Sequence, residues 1–217
     1  MIVLINGDPA LDRFGPTKLV GRLVSPRSGN RLRPGERWAA DNDAFLAWDE
    51  GRFRRMLNRL EGVPGCLFVA VPDVVRQTDS GPLGDARATL DRFDVWQPEL
   101  AARSFPVALV GQDGAECLDL PWDRMQALFL GGSTGWKLSR AAADLAAEAK
   151  RRNLWVHMGR VNTRRRLKIA HDIGCDSVDG TGWSMFPDKY LRRDLPYLRT
   201  LLHQGLLFGS TQARQNP

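Results

Sequence analysis

A chain of 217 residues, 43% hydrophobic and 26% charged, is long enough for one domain or for a β/α barrel at the short end of the usual range. A mean hydropathy of −0.32 and the lack of any apolar run near the roughly 20 residues that cross a bilayer argue against a helical membrane span. The net charge of +6 favours polyanionic partners, and the three scattered cysteines, Cys66, Cys117 and Cys175, suit reduced thiols in a cytoplasmic setting and not a disulfide framework.

The elements alternate along the chain. Met1 to Asp8 has neither a basic leader nor a long apolar segment, so it reads as a first strand over 2–5 and not as a signal peptide. Residues 7–37 are rich in Gly, Pro, Arg and Ser and read as a long loop over the mouth of the molecule. A weak strand is expected at 38–40, then an amphipathic helix at 44–60, a strand at 66–71 and a short loop at 77–84. A helix at 85–102, strands at 106–110 and 127–130, and a helix at 139–152 capped by Ser139 follow. The series ends with a strand at 154–157, a helix at 163–173 between a Thr163 cap and Gly174, a strand at 175–178, and a helix at 187–202. A last apolar stretch at 206–208 reads as the closing strand. Strand–helix alternation of this kind predicts a compact single-domain (β/α)8-like TIM barrel over residues 1–208, a shortened or irregular closure left open, and a flexible tail over 209–217. An open doubly wound sheet is the alternative.

The polar residues at strand ends are where a parallel barrel gathers its chemistry, and clustered carboxylates there are costly to hold for stability alone. Asp41 and Phe45 follow the weak strand. Asp73 follows Pro72, which removes a ladder donor and marks a strand end. An ionised carboxylate at Asp73 can accept from the N1–H and exocyclic amine of a guanine-like base, and the Gln112 amide offers both a donor and an acceptor to a base edge. Gly131 and Gly132 allow a ligand to approach the backbone. The run continues Gly135-Trp136-Lys137, which lacks the Gly-Lys-Ser/Thr order of a phosphate loop. Phe45 and Met158 could clamp a flat ring. Asp176, in Cys175-Asp176-Ser177-Val178-Asp179-Gly180, is the expected nucleophile, with Asp179 as its competitor on the opposite face of the strand. His157, His171 and His203 have no zinc-like spacing with the cysteines, so no metal is expected. The basic cluster Arg160, Arg164, Arg165 and Arg166 follows a strand end and is the expected grip on nucleic-acid phosphates.

In chain order, Asp41-Asn-Asp-Ala-Phe45, Val71-Pro-Asp73, Val110-Gly-Gln112, Leu130-Gly-Gly-Ser133, His157-Met-Gly159 and Cys175-Asp-Ser177 resemble the motif series of the tRNA-guanine transglycosylase superfamily. That series runs as an Asp-Ser-Gly-Gly-Phe type motif, an Asp after a strand, Val-Gln-Gly, Gly-Gly-Leu, Met-Gly and a late Phe-Asp-Cys/Ser strand. The resemblance spans residues 38–183. It implies Asp176 as nucleophile on the sugar C1′, Asp41 as general acid/base, Asp73 and Gln112 as readers of the guanine edge, backbone contacts from Gly131 and Gly132, and a sandwich of Phe45 and Met158. Asn42 and Asp43 stand where the family has Ser and Gly, and the family's Cys-x-Cys-x-x-Cys zinc pattern does not occur. Both departures turn the resemblance toward the compact, zinc-free phage and bacterial branch that exchanges guanine in DNA for a 7-deazaguanine such as 7-cyano-7-deazaguanine. Cofactor-free exchange on DNA, with the free base as second substrate and a homodimer left open, is therefore expected. The alternatives are the same exchange on tRNA, an N-glycosidase, and a non-catalytic nucleic-acid-binding barrel.

Overall fold

The computed structural model describes residues 1–6, 18–28, 31–45, 48–79 and 81–209, with the backbone alone from 204 onward. Eight parallel strands close a barrel: β1 (Ile2–Ile5), β2 (Val20–Val24), β3 (Trp38–Ala40), β4 (Cys66–Ala70), β7 (Val107–Gly111), β8 (Ala127–Leu130), β9 (Trp155–Met158) and β10 (Ser177–Asp179). The neighbour order is β1-β10-β9-β8-β7-β4-β3-β2. Closure is made by β1, which pairs with β10 on one side and β2 on the other.

Alternation along each strand sorts the core into two layers. Ile2, Leu4, Phe68, Ala70, Ala108, Val110, Ala127 and Phe129 fill the barrel, while Val3, Ile5, Val69, Val107, Leu128, Val156, Met158 and Val178 face the helices. Small alanines inside leave room for Phe68, Phe129 and the His157 ring, which meet at centroid distances of 4.5 to 6.1 Å.

The outer layer is built by α1 (Glu50–Leu60), α2 (Ala86–Ala102), α3 (Thr134–Lys137), α4 (Arg140–Arg151), α5 (Arg164–Asp172), α6 (Thr181–Met185) and α7 (Pro187–Gly209). Asp49, Asp85, Ser133, Ser139 and Thr163 cap the first five by accepting from the amide three residues on. Gly174 ends the turn after α5 at φ 86°, where a side chain would be strained. β7 reaches β8 through a single 3₁₀ turn at Ala115–Cys117.

Four expectations need correction. The long loop at 7–37 contains β2, whose Gly21 and Arg22 disguise it. A Cβ on Gly21 would lie 2.8 Å from the Arg37 carbonyl, and Arg22 is buried with its guanidinium on Glu36. The loop at 77–84 is part of an antiparallel hairpin, β5 (Val75–Thr78) with β6 (Gly81–Gly84), that leans over the barrel mouth. The helix expected at 44–60 starts at Glu50, behind its Asp49 cap. Residues 206–208 lie within α7, so the closing strand is β10 against β1. Of the expected tail at 209–217, Gly209 is the last residue of α7 and 210–217 lie outside the described residues.

Candidate active site

The carboxyl ends of the strands open into a pocket of about 350 Å³. The loop after β3 supplies Asp41, Asn42 and Phe45; β4 leads to Asp73; β7 to Gln112; β8 to Gly131 and Gly132; β9 to Gly159 and Arg160; and β10 ends in Asp179. Asn42 braces the first of these loops. Its amide donates to the Val71 carbonyl at 2.9 Å and its side-chain oxygen accepts from the Ala44 amide.

Asp176 is not part of this pocket. It precedes β10 at the amino-terminal face, accepts from Lys150 Nζ at 2.7 and 2.8 Å, and accepts from the Val156 amide at 2.8 Å. A three-residue strand separates it from the mouth by about 10 Å. The alternation of β10 puts Val178 in the helix-facing layer and Ser177 and Asp179 on the barrel side. The expected nucleophile is corrected accordingly: the carboxylate that reaches the pocket is Asp179. The signal was present, since a buried Val178 fixes the parity of both neighbours.

Asp179 is held from below and from the side. His157 Nε2 lies 3.0 Å from Oδ2, and the Arg160 amide donates to Oδ1 at 3.1 Å. Burial works to raise this carboxyl, but the His157 hydrogen bond and charge, the Arg160 amide and the Lys137 cation outweigh it and hold it below the ordinary value. His157 is fully buried inside the barrel, with Nδ1 2.8 Å from Ser177 Oγ, which in turn accepts from Trp155 Nε1 at 2.8 Å.

The other two carboxyls move the opposite way. Burial, and then repulsion from Asp179, Asp43 and Asp73, push Asp41 up to about 7. Burial also raises Asp73. One pocket therefore holds a carboxylate kept ionised and a carboxyl poised to gain and lose a proton near neutrality.

Gln112 is buried, and its Nε2 donates to Asp73 Oδ2 at 2.6 Å. Gly131 and Gly132 are required by packing: a Cβ would lie 2.6 Å from Val110 Cγ1 at the first and 2.6 Å from Asp113 Oδ2 at the second. Met158, expected as half of a ring clamp, is buried in the helix-facing layer and does not line the pocket. Its place opposite Phe45 is taken by Arg160, whose guanidinium lies 4.6 Å from the centre of the Phe45 ring and donates to the Gly131 and Gly132 carbonyls at 2.7 Å. Arg160 adopts φ 59°, a left-handed conformation that turns its side chain inward.

The rest of the expected phosphate grip is divided. Arg164 is tied to Asp194 and to the Arg193 carbonyl. Arg166 reaches the Arg160 carbonyl at 3.4 Å, and Arg165 is exposed. Sequence reading also missed Lys137, which is buried with Nζ donating to the Gly159 carbonyl at 2.5 Å; burial and the neighbouring Arg160 lower it to about 7. The thiols are remote from this chemistry, Cys66 being pushed up to about 12 by burial. Among the described residues no three His, Cys, Asp or Glu side chains cluster as metal ligands, and no helix is long and apolar enough to cross a membrane.

No family model matches the sequence, and no curated protein matches it. Solved structures similar to it include the Bacillus subtilis YkuI protein with an EAL domain, in complex with substrate c-di-GMP and calcium. That chain is 14% identical, with a TM-score of 0.42, over 94% of this chain and 48% of that one. PaMucR phosphodiesterase in complex with c-di-GMP is 15% identical, with a TM-score of 0.38, over 79% of this chain and 63% of that one. This chain spans about half the length of the first and less than two thirds of the second.

Proposed function

We propose that this chain is a transglycosylase that exchanges guanine in DNA for a 7-deazaguanine base such as the 7-cyano form. The observation that carries the reading is the division of roles among three carboxyl groups in one base-sized pocket: Asp179 ionised, Asp41 proton-exchanging, Asp73 beside an amide. The motif series of the guanine transglycosylases supports it, with the late acidic position read at Val178-Asp179 in place of Cys175-Asp176.

The target nucleotide leaves the stack to reach the pocket. Its base lies against Phe45, with Asp73 accepting from N1–H and the 2-amine and Gln112 Nε2 donating to O6. Asp179 attacks C1′. The C1′–N9 bond breaks, its electron pair leaves with guanine, and Asp41 supplies the proton the departing base needs. The glycosyl ester waits while a 7-deazaguanine takes the vacated place. Asp41, now a carboxylate, accepts the N9 proton of the incoming base, N9 attacks C1′, and the Asp179 carboxylate is released.

The net charge of +6 suits a nucleic-acid substrate of either kind, and the choice of DNA over tRNA rests on the resemblance to the compact zinc-free branch. Exchange of labelled guanine into duplex DNA, single-stranded DNA and tRNA, each with and without excess 7-cyano-7-deazaguanine, tests it. Label entering DNA and suppressed by the deazaguanine is expected. Label in tRNA alone would overturn the substrate, and abasic sites without exchange would make the protein a glycosidase.

A further inference from the structure

The direction in which the Gln112 amide points decides what it can read, and one residue on a neighbouring helix settles that direction. Thr89, in the first turns of α2, is 1% exposed and Gln112 2%. The Val74 amide donates to Thr89 Oγ1 at 2.8 Å. The hydroxyl proton goes to Gln112 Oε1, also at 2.8 Å. With its oxygen engaged there, the amide turns Nε2 toward Asp73 Oδ2, at 2.6 Å, and toward the Val74 carbonyl at 3.4 Å. The flipped amide would set an oxygen against a carboxylate and a carbonyl with no proton between them, and would leave the Thr89 proton facing an NH2 group. The hairpin closes the third side. A Cβ on Gly84 would lie 2.6 Å from Gln112 Cδ and 2.8 Å from Nε2, so its backbone rests on the face of the amide.

We propose that Thr89 is a specificity-determining positioning residue, which locks Gln112 as a hydrogen-bond donor to the pocket and so restricts the site to purines and deazapurines with a 6-keto edge. This rests on the reading of the pocket as a base site. A donor beside an acceptor matches the C6=O and N1–H of guanine and its 7-deaza relatives. The 6-amino purines present the reverse order, a donor at C6 and an acceptor at N1, against which both Gln112 and Asp73 are left mispaired. The long contact to the Val74 carbonyl is the bond that Nε2 exchanges for the ligand oxygen. Sites built around such buried polar groups reject mismatched ligands strongly, because the penalty falls on the unpaired group.

The test is the affinity of free guanine and of 2,6-diaminopurine, which differ only in the C6 substituent and N1 proton, for the full chain by calorimetry. Wild type should favour guanine. Thr89→Val and Thr89→Ala both remove the hydroxyl, and in either the guanine preference should fall at least tenfold. Thr89→Ser, which keeps the hydroxyl, should restore it. A loosened helix would weaken both bases together and leave the ratio unchanged. An unchanged ratio in the folded Val or Ala variant would overturn the role of Thr89 while leaving the base site intact. Failure of wild type to bind guanine would overturn the base site itself and the proposal with it.

Discussion

His157 Nε2 sits 3.0 Å from Asp179 Oδ2 inside the barrel, directly beneath the pocket. A carboxylate can only accept, so Nε2 carries the proton. Ser177 Oγ accepts from Trp155 Nε1 and lies 2.8 Å from His157 Nδ1. Trp155, Ser177 and His157 thus form a buried chain that ends on the carboxylate and fixes its orientation.

That chain has a pH consequence. Asp179 is held below the ordinary carboxyl value, and in the proposed reaction it acts as the ionised nucleophile, so on the acid side exchange should fail only once pH drops through that lowered value. Replacing His157 by Phe removes the donor, and the acid limb of the kcat/KM profile should move to higher pH, with a fall of about 10- to 100-fold at neutrality. His157→Gln, which can still donate, should recover part of the loss. An unmoved acid limb would show that Asp179 does not depend on His157.

Asp41 supplies a second pH dependence of opposite sign. Its folded value of about 7 lies above the ordinary 3.8, so the folded state binds its proton more tightly than the unfolded chain does. The stability this lends is fully present below pH 3.8 and is lost as pH rises through about 7. Asp41→Asn, which mimics the neutral form, should therefore be more stable than wild type at pH 8, by about 4 kcal/mol, and should lose most of that advantage at pH 4. Denaturant melts at the two pH values check this. The same variant should exchange bases about 10²- to 10⁴-fold more slowly.

The Arg160 guanidinium is packed on the Phe45 ring, 4.6 Å from guanidinium carbon to ring centre, which leaves no gap between the two for a base. A bound base must enter beside Phe45, which is 43% exposed at the mouth. Phe45→Ala should weaken base binding by about 1–3 kcal/mol and raise KM with little change in melting temperature. Equal losses in stability and binding would place the ring in the core instead of the site.

Much of the barrel is legible in the sequence because its strands are short apolar runs behind capped helices. Ser139 and Thr163 cap, and Gly174 ends a turn, where local preference and the tertiary fold agree. β2 is hidden because Gly21 answers a backbone approach and Arg22 is buried against Glu36, neither of which shows in hydropathy. The stretch at 206–208 misleads because an apolar triplet reads the same in a helix as in a strand. In the site, strand-end position identifies Asp41, Asp73, Gln112 and the paired glycines. It fails between Asp176 and Asp179, where only the parity of Val178 decides, and at Met158, where the same alternation turns His157 inward. Thr89 and Lys137 lie on helices, and only the folded backbone sets them against Gln112 and the Gly159 carbonyl behind the pocket.

The most direct measurement is where the sugar becomes attached. Wild type, Asp179→Asn and Asp176→Asn would each be incubated with substrate DNA without added base, quenched, and the protein digested and mapped by mass spectrometry. The account predicts a glycosyl ester on Asp179 in wild type and in Asp176→Asn, and none in Asp179→Asn. The Asp176 variant should lose only about 1 kcal/mol of stability through its ion pair with Lys150. An ester on Asp176, or an undiminished adduct in Asp179→Asn, would contradict it.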